Sequence, residues 1–227
     1  MIQHHHRDTE GIAHHPSDAL LLTYASGAAD EAVSLIVATH MSYCSLCRLR
    51  GRKLEAIGGA LLEDLPPAAL ARDAREAVMA KLDSAQPYER PVVSSGAALK
   101  DHRTPAVLRP YIGGDLARVR WRRMGPRLSY VPLFRRGAVA ARLLRGVPGA
   151  GSGLHSHQGL ELTLVLQGGY TDVTGNYGPG DLQVMEDGMR HNPVADPGED
   201  CINLAVTTGR LTFDSLMQKI AAPLFGF

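Results

Sequence analysis

The first third of the chain carries apolar residues at the spacing of amphipathic helices. Ser17 followed by Asp18 is a helix-start signal, and Gly27 ends that run. In the next run, positions i, i+3, i+4 and i+7 of one helix side hold Val33, Ile36, Val37 and His40. The pattern predicts four short helices, over residues 18–26, 30–41, 44–57 and 68–83. Gly58 and Gly59 are expected to end the third helix.

The apolar pattern changes in the second part of the chain. Proline and Ser–Gly turn signals predict a linker over 84–107. Beyond it, short apolar and β-branched runs separated by turn residues are typical of an all-β sandwich or barrel. These runs cover residues 119–121, 128–131, 138–144, 160–166, 182–185 and 201–206. A short closing helix is expected over 214–224. We therefore predict a multidomain α plus all-β protein, with a helical domain over 1–83 and a β domain over 108–227.

Composition agrees with this outline. The chain has 227 residues, of which 44% are hydrophobic and 21% charged, as expected for a globular protein of one or two domains. Its N-terminus is polar and rich in histidine, without the apolar core of a signal peptide, and its longest apolar stretches are too short to span a bilayer. Three cysteines do not make a secreted disulfide scaffold. We expect a cytoplasmic protein that does not contact a membrane.

The net charge of +1 conceals a basic middle segment, 86–150, between two acidic ones. Its arginines include Arg118, Arg120, Arg122, Arg123 and Arg127. The first three alternate with apolar residues, as they would on the solvent side of a half-buried strand. A basic segment can also bind nucleic acid, but no recognition-helix pattern accompanies this one. We expect the arginines to face solvent, or to pair within the protein or across a dimer, and we predict no direct nucleic-acid contact.

Two of the three cysteines follow the second predicted helix. On a helix, at about 100° per residue, His40, Cys44 and Cys47 fall within about 60° of one another. One helical face, or a helix running into a tight turn, can therefore direct an imidazole and two sulfurs at one point. Zn²⁺ accepts this set in tetrahedral geometry, with a fourth ligand from elsewhere. His15, just before the first helix, is the best candidate for the fourth ligand, and His14 is the alternative.

Other interpretations of the cysteine pair are weaker. A Cys-x2-Cys pair also serves redox chemistry, but a redox pair usually follows a strand in a βαβ unit, whereas this one follows a helix. Four short helices over ~70 residues are marginally stable without a staple, which a structural Zn²⁺ would supply. The apolar stripes exceed what so small a bundle can hide. They are expected to bind a partner helix or groove, or else to pack on one another or on the second domain.

A second candidate site lies in the β domain. His155 and His157 are two residues apart and share one side of a strand, and Glu161 follows at an even spacing. His191 adds an imidazole from a separate strand. Three histidines and one glutamate make a mixed nitrogen and oxygen site that suits Zn²⁺ or another divalent metal such as Ni²⁺, Fe²⁺ or Mn²⁺.

The pattern Gly149-x5-His155-x-His157-x3-Glu161-x6-Gly168 resembles the first motif of the cupin family, and His191 matches the metal-binding histidine of the second. The second motif departs from the family, because Glu186 stands in place of the usual proline and Ala195 in place of the usual asparagine. The resemblance implies a cupin (double-stranded β-helix) barrel in the C-terminal part.

The order of the two motifs resembles the ChrR-type anti-sigma factors, in which a zinc-stapled helical bundle with the signature His-x3-Cys-x2-Cys precedes a cupin domain. Residues 17–21, 159–168 and 197–202 are also similar to that family. The family often has a second cysteine two residues after the position of Cys201; here that residue is Asn203, so a Cys–Cys redox pair cannot form in the barrel.

The resemblance implies a non-enzymatic anti-sigma factor. Its N-terminal helices would bind a sigma factor of the extracytoplasmic-function type and cover its polymerase-binding surfaces, and oxidants such as singlet oxygen would release it with help of the cupin domain. The alternatives are a metal-dependent cupin enzyme, a dioxygenase or isomerase, with a regulatory zinc module, and a DNA-binding regulator that uses the basic segment.

Overall fold

The computed structural model describes residues 11–84 and 104–213. Within these residues the helices are α1 (Asp18–Ala25), α2 (Glu31–Tyr43), α3 (Ser45–Glu63), α4 (Ala74–Ser84) and the single turn α5 (Arg109–Ile112). The strands are β1 (Arg122–Arg123), β2 (Leu128–Arg136), β3 (Val139–Gly146), β4 (His155–His157), β5 (Glu161–Gln167), β6 (Tyr170–Asp172), β7 (Gly175–Tyr177), β8 (Leu182–Met185), β9 (Val194–Ala195), β10 (Cys201–Thr207) and β11 (Leu211–Phe213). The helices precede the strands, as the apolar pattern predicts.

The first two helices begin and end close to the predicted positions. Ser17 caps α1, because its side-chain oxygen accepts a hydrogen bond from the Leu20 N–H at 3.2 Å. Gly27 follows this helix with a left-handed φ of 71°, a conformation that glycine adopts without strain. Helix α2 is the most buried of the helices, and its predicted apolar side faces the interior.

Two helix boundaries differ from the prediction. Helix α3 does not stop at Gly58 and Gly59 but continues through them to Glu63, because glycine inside a helix costs only about 1 kcal/mol relative to alanine. The chain leaves the helix just before Pro66, as expected where a proline disfavours helical geometry in the preceding residue. Helix α4 begins at Ala74 rather than at residue 68, so Leu70 lies in the connection and not on the helix.

The strands form the layers of a cupin-like β-sandwich. The large sheet is antiparallel with strand order β1-β2-β3-β10-β5-β8. The facing layer contains the pair β11-β4 and the three strands β7-β6-β9, and single bridges join His155 to His191 and Gly151 to Val194. Side chains between the layers make the core, since β5 and β10 are buried along almost their whole length.

The predicted strand over residues 119–121 is wrong. Leu116–Arg118 is a 3-10 turn, and the strand that follows contains only Arg122 and Arg123. The apolar residues of this segment, Val119 and Trp121, pack partly buried against the core from irregular backbone. The arginines are exposed, as predicted. The alternation of arginine and apolar residues over 118–122 comes from a loop whose apolar side chains pack against the core, and not from a strand.

Helix α2 packs against the large sheet. The helical and β regions share one hydrophobic core, in which α2 residues Val33, Ile36 and Val37 belong to the same cluster as Leu164 and Leu204. At the edge of this contact Glu31 pairs with Arg136 at 2.6 Å. The apolar side of α2 is therefore covered by the β region, whereas the sides of α3 and α4 are not.

Some predictions fall partly or wholly outside the described residues. These are the loose N-terminus before residue 11, most of the linker and the closing helix over 214–224. Within the predicted linker, Thr104 and Pro105 are buried, and the Thr104 hydroxyl oxygen accepts the Leu116 N–H at 2.9 Å. Among the helices in the described part of the chain, none combines the length and the apolar content that crossing a bilayer would require.

Candidate metal centres

The first candidate centre forms at the junction of α2 and α3. Cys44 is the single residue between the two helices, with extended backbone angles (φ −98°, ψ 109°). Its N–H donates to the His40 carbonyl at 3.0 Å, and its Sγ lies 3.4 Å from the Cys47 N–H. Cys44 thus caps the end of α2 and the start of α3, which brings both sulfurs close to the His40 ring.

His15 reaches this junction from the segment that precedes α1. Its Nδ1 lies 3.4 Å from Cys44 Sγ and 3.5 Å from Cys47 Sγ. One ligand atom from each of His15, His40, Cys44 and Cys47 lies within 4.8 Å of the other three. His14 is directed elsewhere, with its ring centroid 4.2 Å from that of Tyr177. The structure brings the four predicted residues together, and of the two alternative histidines it is His15 that approaches the sulfurs.

The two ring nitrogens of the buried His40 have different surroundings. Nδ1 lies 2.8 Å from the Gly180 carbonyl oxygen, and because a carbonyl only accepts, Nδ1 carries the proton. Nε2 is buried and has no hydrogen-bond partner among the described residues. Burial lowers the pKa of His40 to about 4 despite that hydrogen bond. At neutral pH the Nε2 lone pair is therefore available to a cation, which would satisfy an otherwise orphaned atom.

The sulfur side of the cluster also fits a metal ion. Burial, followed by the hydrogen bond and the charge of Cys44, raises the pKa of the Cys47 thiol to about 12. A coordinated divalent cation reverses this effect, because a thiol that binds a metal is deprotonated. Two sulfurs and two imidazole nitrogens make a donor set that Zn²⁺ accepts in tetrahedral geometry. This cluster near the N-terminus can hold a metal ion.

The second candidate centre lies between the layers of the β-sandwich. His155 and His157 point to the interior from β4, whose middle residue Ser156 is less buried. A backbone bridge holds His191 opposite His155, with the two N–H to carbonyl distances at 3.1 and 3.0 Å. Glu161 opens β5 and points to the same place. All four side chains are buried, although they come from three separate segments.

The ligand atoms of this second cluster are close together. Glu161 Oε2 lies 2.8 Å from His157 Nε2 and 3.2 Å from His191 Nε2, and the two Nε2 atoms are 2.9 Å apart. With a ligand atom of His155, the four atoms lie within 4.8 Å of one another. Three nitrogens and one carboxylate oxygen are a donor set for a divalent metal, and the cluster can hold one. The departures at Glu186 and Ala195 leave His191 in its expected place.

Hydrogen bonds around the cluster fix the orientation of two imidazole rings. His155 Nδ1 lies 2.7 Å from the Gly153 carbonyl oxygen, and His191 Nδ1 lies 2.7 Å from Asp172 Oδ2. Both rings therefore present Nε2 to the centre, as is usual when an outer carboxylate or carbonyl orients a metal-binding histidine. The Asp172 side chain is fully buried and also accepts a hydrogen bond from Gln183 Nε2 at 2.8 Å.

Asp172 belongs to this site, but no sequence pattern singles it out. The residue is followed by Val-Thr-Gly, a pattern that reads as an ordinary turn. Its only local signal is that it lies two residues after Tyr170, a buried residue of the same strand, which places both on one side of β6.

The charges of the second cluster depend on its hydrogen bonds. Burial raises the pKa of Glu161, but the hydrogen bonds from His157 and His191 outweigh burial, and the pKa lies well below its usual range. Burial lowers the pKa of His191, but its hydrogen bonds to Asp172 and Glu161 outweigh it and raise the pKa to about 9. A cation that binds at neutral pH must therefore displace a proton from His191.

Known proteins are similar to this chain in both its helical region and its β-sandwich. A family profile described as "ChrR Cupin-like domain" matches residues 111–212. The anti-sigma-E factor ChrR of Cereibacter sphaeroides is 44% identical over 214 residues, which cover 94% of this chain and 98% of that protein. The crystal structure of Rhodobacter sphaeroides SigE in complex with the anti-sigma ChrR matches with a TM-score of 0.75 and 44% identity, covering 86% of this chain and 99% of that one.

The match therefore extends across the helical region and the β-sandwich in one relative. With two clusters that could hold a metal ion in the expected order, the helical region first and the cupin domain second, the chain belongs to the ChrR family of anti-sigma factors.

Proposed function

We propose that this protein binds a sigma factor of the extracytoplasmic-function type and inhibits it by covering the surfaces that the sigma factor uses to bind RNA polymerase. The observation that carries the proposal is the 44% identity to an anti-sigma-E factor along 94% of the chain. The matching structure of that relative, in complex with SigE, supports the same partner class. We place this activity in the cytoplasm, without direct contact to nucleic acid.

The surface that we assign to the sigma factor is the apolar side of α4 and of the second half of α3, here called the α3–α4 surface. None of the α4 residues is buried. Large apolar side chains exposed in this region are Ile57, Leu61, Leu62, Leu65, Leu70, Val78, Met79 and Leu82. Leu62 is 68% exposed and Leu82 is 63% exposed, values that a monomer would not normally leave on a helix side. Amphipathic helices of this kind bind in apolar grooves of partner proteins.

The metal identities are part of the proposal. We assign Zn²⁺ to His15, His40, Cys44 and Cys47, and Zn²⁺ or another divalent metal to His155, His157, Glu161 and His191. The first assignment is supported by the sulfur and imidazole donors and by the orphaned Nε2 of His40. Zn²⁺ there would tie α2, α3 and the segment before α1 together, so the α3–α4 surface would project from a fixed base.

We further propose that oxidants such as singlet oxygen release the sigma factor with help of the cupin domain. Cys201 is buried, and its Sγ lies 3.5 Å from Asn203 Oδ1. Burial raises the pKa of its thiol to about 12, which disfavours the reactive thiolate. The chain has three cysteines in total, so Cys201 has no partner for a disulfide within the barrel. We therefore assign the cupin contribution to groups other than a cysteine pair, with the metal cluster and the residues packed around it as the first candidates.

Co-purification tests the proposal. The zinc-loaded full-length protein, bearing an affinity tag, is expected to recover the sigma factor encoded next to its gene, and the purified pair is expected to support no transcription from that sigma factor's promoter. Recovery of no sigma factor would overturn the proposal. Recovery of a complex that still activates polymerase would overturn the inhibitory part alone.

The alternative of a metal-dependent cupin enzyme finds less support. The relative that matches almost the whole chain is named as a regulator. If the ion of the second cluster is a tetrahedral Zn²⁺, its four protein ligands would fill the coordination shell and leave no position for a substrate.

A further inference from the structure

A turn of the cupin domain contacts both of the segments that bring histidines to the first metal cluster. The turn, taken here as residues 178–182, is the connection between β7 and β8 together with the first residue of β8. Its Asp181 side chain is buried, with 3% of the residue exposed. Asp181 Oδ1 accepts the N–H groups of Ala13 and His14 at 2.8 and 2.9 Å, and Oδ2 accepts the Gly178 N–H at 2.8 Å.

The segment before His15 is hydrogen-bonded to the turn through its N–H groups and also through a carbonyl. The Leu182 N–H donates to the His14 carbonyl at 3.1 Å and so adds a third hydrogen bond to the two that Asp181 accepts from this segment. The His14 side chain adds to the contact: its ring packs on Tyr177, and its Nε2 lies 3.2 Å from the Asn176 carbonyl oxygen. Of the two adjacent histidines, one binds the cupin domain and the other is presented to the sulfurs.

The same turn orients His40. The Gly180 carbonyl oxygen accepts the His40 Nδ1–H at 2.8 Å, which leaves Nε2 as the atom that faces the cluster. Gly180 has a left-handed φ of 92°, and a Cβ there would lie 2.7 Å from Ile12 Cδ1 and 3.1 Å from Tyr43 Cβ. The close approach of the turn to both ligand-bearing segments therefore depends on glycine at this position.

We propose that the turn 178–182 is a positioning element for the first metal centre, with Asp181 and His14 as positioning residues. The cupin domain would thus contribute the outer contacts of two of the four ligands, His15 and His40, and slow the loss of the ion. Such outer-shell groups are typically worth about 10- to 100-fold in metal affinity. The inference rests on the proposed Zn²⁺ at this centre.

The experiment uses the full-length protein loaded with Zn²⁺, in which release to an excess of a chromogenic chelator is followed over time. Asp181→Ala and His14→Ala are expected to release the ion of the first centre about 10- to 100-fold faster than wild type. Asp181→Asn keeps a carbonyl acceptor and is expected to fall between wild type and Asp181→Ala. Asp73→Asn, a change at an exposed carboxylate far along the chain, is the matched control and should release at the wild-type rate.

Cobalt substitution separates positioning from general loss of structure. Only the first centre contains sulfur ligands, so the thiolate-to-Co²⁺ charge-transfer absorption reports that centre alone. In the variants we expect this absorption at full Co²⁺ loading, with a shifted ligand-field spectrum because His15 and His40 are less well oriented. The metal content of the second centre should stay at the wild-type level.

Each outcome decides the inference. Wild-type release rates in both Asp181→Ala and His14→Ala would overturn it and leave the proposed function intact. If Asp181→Ala does not fold, His14→Ala decides alone, because it leaves the backbone contacts of Asp181 in place. A wild-type protein that shows no thiolate-to-Co²⁺ absorption would overturn both this inference and the zinc assignment.

Discussion

The two candidate metal centres contain the same number of protein ligands, but the secondary structure that positions those ligands differs. The first draws its ligands from a helix junction and from the irregular segment before α1, which in the described residues no β ladder joins to the helices, although the turn 178–182 contacts both. The second lies within a sandwich whose strands are already joined by long antiparallel ladders. An ion at the first centre would therefore determine local structure, whereas an ion at the second would fill a site that the sheets prepare.

The surroundings of the two centres support this contrast. Next to the first centre, Leu21 and Cys47 are fully buried, but α3 beyond Gly51 and α4 are mostly exposed. Around the second centre the strands bury residues on both layers, and Asp172 and Gly153 hold two of its ligands. Removal of each ion should accordingly have different consequences, and the following predictions test that difference.

The largest effect is expected for the sulfur ligands of the first centre. Cys44→Ser or Cys47→Ser should lose the Zn²⁺ and reduce sigma-factor affinity by roughly 100-fold or more, about 3 kcal/mol, because metal binding at such a site stabilises the fold. Calorimetric binding and zinc content measure the two losses. Cys201→Ser, at the remaining buried cysteine, is the control and should bind normally; tight binding by a zinc-free Cys44→Ser protein would contradict the contrast.

A smaller effect is expected at the outer shell of the second centre. Asp172→Asn should weaken metal binding there by about 10- to 100-fold, because the His191 ring loses its charged hydrogen-bond partner. His155→Ala or His191→Ala should abolish that binding. All three variants are expected to bind the sigma factor normally and to show a blunted release after exposure to singlet oxygen. Loss of sigma-factor binding in these variants would mean that the second centre also supports the fold of the first.

A change on the α3–α4 surface should affect the partner without affecting the protein itself. Leu82→Ala and Val78→Ala are each expected to reduce sigma-factor affinity by about tenfold, as contacts at the centre of an interface do. Both residues are exposed, so the melting temperature of the free protein should stay the same. Leu22→Ala, at an exposed apolar residue of α1, is the matched control. Equal affinity in all three variants would place the interface elsewhere.

The smallest effect is a pH dependence confined to the metal-free second centre. Since the folded protein raises the pKa of His191 from 6.5 to about 9, the stability from its proton is fully present below pH 6.5 and is lost as the pH rises through about 9. In chelated protein the melting temperature should fall by a few degrees between these limits. His191→Gln should remove this dependence, and so should saturation with Zn²⁺; a rising melting temperature in chelated wild type would contradict the assignment.

The two clusters of candidate metal ligands could be predicted from sequence because most of their residues keep local spacings. His40, Cys44 and Cys47 lie within eight positions, and His155, His157 and Glu161 within seven. Helix and strand periodicity is enough to place such residues on one side. Even the more distant His15 has a recognisable position just before a helix cap, although the choice between it and His14 required the fold.

The features that escaped prediction depend on contacts between distant parts of the chain. Asp172 orients His191 from another strand, and the Gly180 carbonyl contacts a histidine 140 residues earlier in the sequence. The extension of α3 past Gly58 reflects a balance in which a modest glycine penalty is smaller than the gain from continuing the helix. No local pattern encodes the burial of α2 against the large sheet, because its apolar side would look the same in a free bundle.

The α3–α4 surface has a consequence for how much of this protein a cell can tolerate. A copy without a partner exposes the apolar sides of its helices to water, and such molecules aggregate more readily as their concentration rises. A copy seated on its partner has that surface covered. We therefore expect the concentrations of the two proteins to be matched. Molecules of this protein in excess of the sigma factor should aggregate or be degraded rather than accumulate.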